Sequence, residues 1–459
     1  MTTQSYSTEN FLDIYDLENR RGKNFDKDFF PEVHRRNLRI DRKSRAIRNF
    51  YKKHSRSGKL SSQDKNRLQT LFSNVNKEKK LKRDALTQAL NVVSAQVAEK
   101  SFSISLTTRL IKGRTVYVHG DTAAEYFSLK QTANNIRSVY KVKQADRNSI
   151  CAQIRNLISD GYCYKVVRTD IQSFYETIPH NSILKRIDND SLLSAKTKST
   201  IKEVLRHYAR LNGGVAIGLP RGVNISADLS EMFMRHIDDR IKYLNGVCFY
   251  ARYVDDIIVF FAHPRHVPSS QRLPEITGII NQFHLQLNPL KTKEYDLAKP
   301  CAIEYLGYVF RRDKTSTDVR LSDKKLNKYH DRLTACFKAY ARERRADSKS
   351  AYRNLVARVR FLSGNTQLDN AKSNAHTGIF FSNPGLTTLD QLDELDLRMS
   401  LLAWKYLSDR SSLKRLIVSL SFRDGYERKR IFRFNRRRRP GHVHEMHKIV
   451  GAWSYAEKA

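Results

Sequence analysis

Two β-rich runs separated by an acidic turn constrain the fold more than any other feature of the sequence. The runs are 247–253 and 257–261, and Val254, Asp255 and Asp256 lie between them. Two such runs around a short polar turn predict a β-hairpin. Paired carboxylates at the tip of an apolar hairpin repel each other and are expensive to desolvate, and a divalent cation would offset both effects. The alternative is an ordinary polar turn, where Asp is common.

A third acid ends another apolar run. The run 164–170 predicts a strand that ends at Asp170, and an aromatic-rich stretch follows it at 171–175. If this strand lies beside the hairpin in one sheet, Asp170 can face Asp255 across a pair of metal ions. Two ions about 3.5–4 Å apart clamp the attacking and leaving oxygens of an in-line phosphoryl displacement. The alternative for Asp170 is a helix N-cap or a turn acid.

The chain also carries a large excess of positive charge. Its 459 residues include 84 Lys and Arg against 47 Asp and Glu, which gives a net charge of +37. Self-repulsion of this size calls for a polyanionic partner, and phosphate backbones are the default. Three basic stretches, 20–53, 311–360 and 423–439, favour nucleic acid. The alternatives are a solvated basic surface, a localisation patch or an anionic membrane surface.

Several classes of protein are disfavoured. The longest uninterrupted apolar run, 257–262, has six residues, whereas a membrane span needs about 20. The first ten residues are polar and show no basic-then-apolar secretion pattern. The five cysteines form no C-x-x-C pair, so neither a zinc ribbon nor a disulfide scaffold is expected. We therefore expect a cytoplasmic protein without a membrane partner.

Five segments with distinctive motifs lie between about residues 100 and 310. They are VRTDIQSFYETIPH (167–180), GLPRGVNISADLSEMFM (218–234), YARYVDDIIVFF (250–261), LNPLKTKEY (287–295) and IEYLGYVF (303–310). In this order and with this spacing they resemble the palm of a reverse transcriptase. In that family they are the first acid motif, the template–nucleotide loop and helix, the Tyr-x-Asp-Asp hairpin, the lysine motif and the primer-grip hairpin. Asp-Asp, GLPRG or YLG alone would mean little, whereas the ordered set is specific.

The resemblance implies an α+β fold of the right-hand polymerase type. It predicts a basic helical N-terminal region at 1–100, fingers at 101–165, a palm with an antiparallel sheet and the catalytic hairpin (and part of the fingers) at 166–310, and a helical, basic thumb and C-terminal region at 311–459. Apolar residues at helical spacing between 326 and 340 support the last assignment, because they would line one face of a helix.

The resemblance also implies the catalytic chemistry. Asp170 and Asp255 would hold two Mg²⁺ ions, with Mn²⁺ as an alternative, and Asp256 would support them. Ile171 is included in the predicted metal site. The 3′-hydroxyl of the growing strand would attack the α-phosphate of a dNTP and release pyrophosphate.

The same resemblance implies contacts to the incoming nucleotide. Tyr175, five positions after Asp170, would lie under the sugar and clash with a ribose 2′-hydroxyl, which predicts DNA rather than RNA synthesis. The alternative is a core aromatic ring beside Phe174. The predicted nucleotide-binding residues are Tyr175, Phe174, Pro220, Arg221, Gly222, Arg147 and Lys291. Many family members carry Gln at the position of Arg221, which could contact a phosphate instead, and Lys291 is a proton donor, a phosphate contact or a plain surface lysine.

Primer and template contacts are predicted at one hairpin end and one turn. The residues are Tyr253, Tyr305, Leu306 and Gly307. The alternative for the last three is a simple β-turn. The basic N- and C-terminal regions are the predicted places to hold RNA, which would be gripped through shape, phosphates and 2′-hydroxyls.

Within the family, the chain looks most like bacterial reverse transcriptases of antiphage defence and abortive infection. The reasons are its Arg-Tyr-Val-Asp-Asp form, its GLPRG loop and the lack of an evident integrase, protease or ribonuclease H acid set. A retron or group II intron relative is the alternative. The resemblance implies a structured noncoding RNA as template, dNTPs as substrates, a DNA product, and a second protein or a second copy of the chain as further partner. Two other functions stay open, an RNA polymerase on the same palm and a catalytically silent RNA-binding scaffold.

Overall fold

The computed structural model describes residues 3–21, 23–54, 60–111, 113–262, 272–313, 316–367, 376–432, 449 and 451. The helices are α1 (Thr8–Arg20), α2 (Phe25–Asp28), α3 (Pro31–His54), α4 (Ser62–Ala98), α5 (Ala123–Tyr140), α6 (Arg147–Ser159), α7 (Phe174–Thr177), α8 (His180–Asn189), α9 (Ala195–Leu211), α10 (Asn224–Lys242), α11 (Arg272–Gln282), α12 (Asp323–Glu343), α13 (Ser348–Ser363), α14 (Asp390–Tyr406), α15 (Ser411–Val418) and α16 (Phe422–Glu427). The strands are β1 (Leu106–Ile111), β2 (Arg114–His119), β3 (Lys165–Asp170), β4 (Val247–Tyr253), β5 (Asp256–Phe261), β6 (Lys293–Asp296), β7 (Cys301–Tyr305), β8 (Tyr308–Arg312), β9 (Thr317–Leu321), β10 (Asn365–Gln367), β11 (His376–Gly378) and β12 (Ile431–Phe432).

The chain forms two compact units. The first comprises 1–143 and 173–235, and the second comprises 144–172 and 236–459. The boundaries of these units differ from the predicted domain boundaries at residues 100, 165 and 310. The predicted boundaries stay predictions. No described helix combines the length and the apolar character needed to cross a membrane.

The first unit is mainly helical, as the sequence predicts for its N-terminal part. Ser61 caps α4 by accepting a hydrogen bond from the Asp64 N–H, which satisfies one of the unpaired donors of the first helical turn. Aromatic side chains from α1, α2 and α5 form its core, where Phe25 contacts both Tyr126 and Phe127. Strands β1 and β2 pair as an antiparallel hairpin.

The second unit contains a four-stranded antiparallel sheet in the order β4-β5-β3-β6. The apolar runs of β3 and β5 are explained by this order, because both strands have neighbours on each side. Every residue of β5 after the first is buried. The predicted hairpin is thus confirmed, and the strand that ends at Asp170 lies beside it, with Asp170 paired to Asp256 across the sheet.

A second antiparallel sheet, β7-β8-β9, packs into the main core of this unit together with α12, α13 and α14. Tyr305 and Tyr308 are fully buried there. The helix predicted from apolar spacing between 326 and 340 is confirmed as α12.

The C-terminal region is less purely helical than predicted. Strand β9 continues the β7–β8 sheet, and β10, β11 and β12 form a further three-stranded sheet. The strands of this sheet have three, three and two residues, too few for alternation of apolar and polar residues to register in the sequence. Its β10–β12 pair is also parallel and joins residues far apart along the chain. The arginine run at 436–439 lies outside the described residues.

Candidate active site

Three carboxylates converge at one end of the four-stranded sheet. Asp170 is the last residue of β3 and Asp256 is the first of β5, so their side chains extend from paired positions to the same side of the sheet. Asp255 lies in the two-residue turn between β4 and β5. One oxygen from each of the three carboxylates lies within 4.8 Å of the others. The structure therefore brings together the three acids that the sequence singles out.

This concentration of negative charge is reflected in the pKa values. Burial raises the pKa of Asp256 to about 6; the Arg168 guanidinium opposes this shift, and the charges of Asp170 and Asp255 reinforce it. Burial also raises the pKa of Asp255, and the charge of Asp170 adds to the effect. Carboxylates in such a position are stabilised by a nearby positive charge, whether a proton or a metal ion supplies it.

Two basic side chains of the protein partly neutralise the negative charge of the three carboxylates. Lys291 Nζ lies 2.6 Å from Asp170 Oδ2, and this hydrogen bond raises the pKa of the lysine. Arg168 lies 3.3 Å from Asp256 Oδ1 through Nη2 and donates a second hydrogen bond to the Lys291 carbonyl at 2.9 Å. Hard carboxylate oxygens with this spacing fit Mg²⁺ or Mn²⁺, which prefer oxygen ligands. The residues present thus suit a divalent metal centre.

Ile171, the fourth member of the predicted metal site, follows Asp170 directly. Its N–H donates a hydrogen bond to the Asp255 carbonyl at 3.2 Å, and the residue forms a β-bridge with Leu287. These bonds fix the backbone between Asp170 and the turn that carries Asp255. Its role as a ligand stays a prediction.

The predicted nucleotide contacts lie in the first unit, apart from Lys291 and Arg147. Tyr175 belongs to the short helix α7, where the Arg221 guanidinium lies 5.4 Å from the ring centroid. Arg221 Nη2 donates to Glu176 Oε2 at 2.9 Å. The Phe174 side chain is only 1% exposed, so the structure places it in the core, where it contacts the Tyr175 ring.

The loop 218–222 is fixed on two sides within the first unit. The Leu219 N–H donates to the Tyr175 carbonyl at 2.6 Å, and the Tyr117 N–H of β2 donates to the Arg221 carbonyl at 2.7 Å. Gly222 has φ +101°, and a Cβ there would lie 2.7 Å from the Tyr117 carbonyl oxygen. Only glycine combines that conformation with such close backbone approach. Pro220 is buried.

The predicted primer residues lie at the ends of two hairpins. Tyr253 ends β4 and is partly buried against the core. Tyr305 is fully buried, and its hydroxyl donates to the Asp256 carbonyl at 2.9 Å, so its side chain supports the catalytic hairpin from within the fold. Leu306 and Gly307 form the β7–β8 turn with φ +47° and +77°. That turn is the part of the motif left to contact a primer.

Arg147 has structural partners in the second unit. It begins α6, and its guanidinium donates to the Leu306 carbonyl at 3.1 and 2.6 Å and to the Ser382 carbonyl at 3.3 Å. The guanidinium also stacks over the Tyr308 ring, 4.8 Å from its centroid. These contacts engage the side chain with the β7–β8 turn, and the nucleotide contact of Arg147 stays a prediction. Lys112, another basic residue of the predicted fingers, lies outside the described residues.

Several functional candidates are not apparent from sequence reasoning. They are Arg168, Glu176, Asp238 and Arg252. Arg252 stands within the Arg-Tyr-Val-Asp-Asp form, which draws attention to the position but not to its partner. The partner of Arg252 is Asp238, on α10, and nothing in the local sequence pairs the two.

Comparison with known proteins assigns the central part of the chain. Residues 125–310 match the family described as reverse transcriptase (RNA-dependent DNA polymerase). This stretch is a reverse transcriptase domain, its fold is that of the right-hand polymerases, and its enzyme class is RNA-directed DNA polymerase. No curated protein matches the chain.

Solved structures of telomerase show a weak likeness. Telomerase from Candida albicans, in complex with a TWJ fragment of telomeric RNA, is 12% identical over 80% of this chain and 76% of that chain, with a TM-score of 0.35. Telomerase from Candida tropicalis, truncated from the C-terminal domain, is 12% identical over 56% of this chain and 70% of that chain, also with a TM-score of 0.35. Scores this low carry no conclusion about the present chain.

Proposed function

We propose that this chain copies RNA into DNA with two Mg²⁺ ions held by Asp170 and Asp255, using a structured noncoding RNA as template in bacterial antiphage defence. RNA-templated DNA synthesis is the general activity of its domain; the residue roles and the biological setting are the proposal. The observation that carries it is the convergence of three carboxylates within 4.8 Å at the end of one sheet.

Each side chain of the site has a proposed part in the chemistry. Two divalent ions, when bound, activate the primer 3′-hydroxyl and stabilise the charge that develops on the α-phosphate and on the leaving pyrophosphate. Asp170 and Asp255 supply the shared ligands, and Asp256, held by Arg168, adds negative charge beside them. Lys291 keeps its proton at neutral pH because its pKa is raised, which suits a contact to phosphate better than proton donation.

Tyr175 is the proposed sugar contact, and Arg221 the residue that holds its ring. The cation–π contact and the ion pair with Glu176 both act on the α7 segment. Pro220 and Gly222 would shape the loop beside the nascent base pair. The Pro220 carbonyl accepts a hydrogen bond from the Ser226 hydroxyl and the Arg221 carbonyl accepts one from the Tyr117 N–H, which keeps the loop backbone in one conformation.

The proposed RNA-holding surface is the outer side of α3. Arg36 and Lys43 turn toward Glu78 on α4, whereas Arg39 and Arg42 remain exposed. Arg45 and Arg48 continue the exposed row at the same spacing. Residues three apart on a helix are neighbours, so these four arginines follow one another in a row that winds about half a turn around α3 and suits a phosphate backbone. The antiphage setting is supported by the resemblance of the motifs alone.

Primer extension tests the catalytic proposal. Purified protein is given an RNA template, a DNA primer, dNTPs and Mg²⁺, and is compared with Asp170→Asn, Asp255→Asn and the control Asp239→Asn, which changes an exposed acid of α10. We expect the first two variants to lose synthesis by about 10²- to 10³-fold, as for removal of a major electrostatic contributor, and to keep RNA affinity. Synthesis by Asp255→Asn at the unchanged rate would contradict the metal role, whereas RNA binding without synthesis by the wild type would favour the silent scaffold.

The biological part of the proposal needs a separate test. Bacteria that express the wild-type chain or Asp255→Asn are challenged with phage, and nucleic acid that co-purifies with each protein is sequenced. We expect protection only with the wild-type chain, a single structured RNA bound to both proteins, and complementary DNA bound only to the wild type. Equal protection by both proteins would remove DNA synthesis from the defence function.

A further inference from the structure

The turn that carries the catalytic Asp255 has a strained backbone. Strands β4 and β5 pair up to Tyr253 and Asp256, which leaves a two-residue turn of Val254 and Asp255. Val254 has φ +60°. Two-residue hairpin turns place glycine, asparagine or aspartate at positive φ, whereas a β-branched residue there is an outlier. Strain of this kind persists only where surrounding contacts enforce it.

Three consecutive carbonyls of this turn are each held by a different element. The Val254 carbonyl accepts a hydrogen bond from Arg252 Nη1 at 2.8 Å. The Asp255 carbonyl accepts one from the Ile171 N–H at 3.2 Å, and the Asp256 carbonyl accepts one from the Tyr305 hydroxyl at 2.9 Å. The backbone that carries two of the three acids is therefore fixed at successive residues.

Arg252 is itself locked in place. Its Nε and Nη2 each lie 2.8 Å from one oxygen of Asp238, a two-pronged pair. The arginine side chain is 6% exposed and that of Asp238 is 15% exposed. The Tyr250 hydroxyl donates to Asp238 Oδ1 at 2.6 Å and so orients the carboxylate. A planar guanidinium presents two parallel donors to the carboxylate and directs a third to Val254, whereas the three donors of an ammonium group diverge from one nitrogen and do not reproduce this geometry.

A second two-residue hairpin in the same unit has a similar arrangement. Leu306 occupies the first position of the β7–β8 turn with φ +47°, and its carbonyl accepts hydrogen bonds from the Arg147 guanidinium. Two strained turns in one unit, each with an arginine on the carbonyl of its strained residue, indicate that these contacts maintain the turn conformation.

We infer that Arg252, fixed by Asp238, is a positioning residue that sets the metal-binding geometry of Asp255 and Asp256. The inference rests on the proposed metal role of the acidic triad. Without the arginine bond, Val254 is free to relax to negative φ, which reorients the peptide that precedes Asp255. The carboxylates would remain present, but their oxygens would no longer be held at the separation that a shared ion needs.

Metal binding by the full chain without nucleic acid tests this inference. Mn²⁺ is titrated calorimetrically into the wild type, Arg252→Lys and Asp238→Asn, and the melting temperature of each is recorded. We expect both variants to bind Mn²⁺ about 10- to 100-fold more weakly, the usual effect of losing a residue that orients metal ligands. Asp238→Asn keeps the shape of the side chain, so it serves if Arg252→Lys fails to fold.

A matched control separates positioning from general stability. Arg358 on α13 is also a buried arginine, 2% exposed, and donates to Glu343 Oε1 of α12 at 2.6 Å. Arg358→Lys should lower the melting temperature by a similar amount while leaving the Mn²⁺ affinity within twofold of the wild type. A folded Arg252→Lys protein that binds Mn²⁺ as tightly as the wild type would overturn the inference.

A second substitution gives a signature that lost stability does not produce. Glycine adopts positive φ without strain. In Val254→Gly the turn therefore no longer depends on the hydrogen bond from Arg252 to the carbonyl of residue 254. The double variant Arg252→Lys with Val254→Gly should recover at least half of the lost Mn²⁺ affinity on a logarithmic scale, and purely additive effects would contradict the mechanism. If Asp255→Asn binds Mn²⁺ like the wild type, the proposed metal role fails; if only Asp255→Asn loses binding, this inference alone fails.

Discussion

Asp256 differs from the other two acids at the scale of single residues, because it is paired with a fixed arginine. Arg168 lies 3.3 Å from its carboxylate, yet burial still raises the pKa of Asp256 to about 6. A carboxyl with a raised pKa binds its proton more readily when the protein is folded. The Asp256 carboxyl therefore lowers the free energy of unfolding progressively as the pH rises from 3.8, its ordinary pKa, to about 6, its pKa in the folded protein.

Replacing this acid should stabilise the metal-free protein at neutral pH. In EDTA at pH 7.5, we expect Asp256→Asn to raise the free energy of unfolding by about 1–2 kcal/mol, because the unfavourable charge is removed. At pH 3.5 the gain should largely vanish, since the carboxyl is then mostly protonated in both the folded and the unfolded protein. Urea denaturation at the two pH values measures the difference, with Asp239→Asn as the exposed control. Destabilisation at pH 7.5 would show that the pairing with Arg168 outweighs the repulsion.

The acids could be predicted from sequence because each stands at the end of an apolar run, where a charge needs an explanation. Arg168 and Arg252 could not be assigned roles in the same way, because their partners are set by the fold. Arg168 reaches Asp256 across paired strands, and Arg252 reaches Asp238 on a helix. For Tyr305 the motif predicts a primer contact, and the structure adds a hydrogen bond from its hydroxyl to the Asp256 carbonyl, which the sequence does not indicate.

At the scale of elements, the loop 218–222 and helix α7 behave as one piece of the first unit. Backbone hydrogen bonds join Leu219 to Tyr175 and Gly218 to Ile178. The Arg221–Glu176 ion pair spans the same two segments, but the two side chains are 35% and 46% exposed. Exposed pairs of this kind contribute little to stability. The pair is therefore better suited to orienting the Tyr175 ring than to holding the fold together.

Removing the arginine from this pair should weaken sugar discrimination. We expect Arg221→Gln to reduce the preference for dNTPs over rNTPs by about 2- to 5-fold, because a cation–π contact at an exposed site contributes about 0.5–1 kcal/mol. Tyr175→Ala should reduce it further. The ratio of kcat/KM for the two nucleotide types measures the effect, with Glu176→Gln as a variant that keeps the cation. If the ratio is unchanged in Tyr175→Ala, Tyr175 does not contact the sugar of the incoming nucleotide.

Elements with strong local signals were predictable, and those formed by distant short segments were not. The β4–β5 hairpin and α12 follow from runs of apolar residues at strand and helix spacing. The β10–β11–β12 sheet has strands of at most three residues, and its parallel pair unites residues 365–366 with 431–432. Contacts of that kind depend on tertiary packing, which a local pattern does not encode.

At the scale of the whole molecule, the dominant property is the net charge of +37. On α3, Arg39, Arg42, Arg45 and Arg48 are exposed, whereas Arg36 and Lys43 are paired with Glu78. A helix whose inward basic residues are paired and whose outward ones face solvent has capacity for an external polyanion. The composition predicts a polyanionic partner, and the structure adds which basic side chains of α3 are exposed.

Neutralising the four exposed arginines should weaken RNA binding and reduce its salt dependence. We expect the variant with all four changed to Gln to bind a structured RNA more weakly and to lower the slope of log K against log salt concentration by up to about 3, since each lost phosphate contact removes about 0.7–0.9. The variant with four lysines keeps the charge and should retain most of the slope. Filter binding over a range of salt concentrations provides both values. An unchanged slope in the glutamine variant would show that these four arginines do not contact the RNA backbone.

The central claim is that Asp170 and Asp255, 85 positions apart in the chain, hold a divalent ion together. A crystal of the protein grown with Mn²⁺, measured for anomalous scattering, tests this most directly. The account predicts an anomalous peak within direct coordination distance, about 2.1–2.3 Å, of one carboxylate oxygen from each residue. A peak bound by neither residue, or carboxylates separated too widely to share an ion, would contradict it.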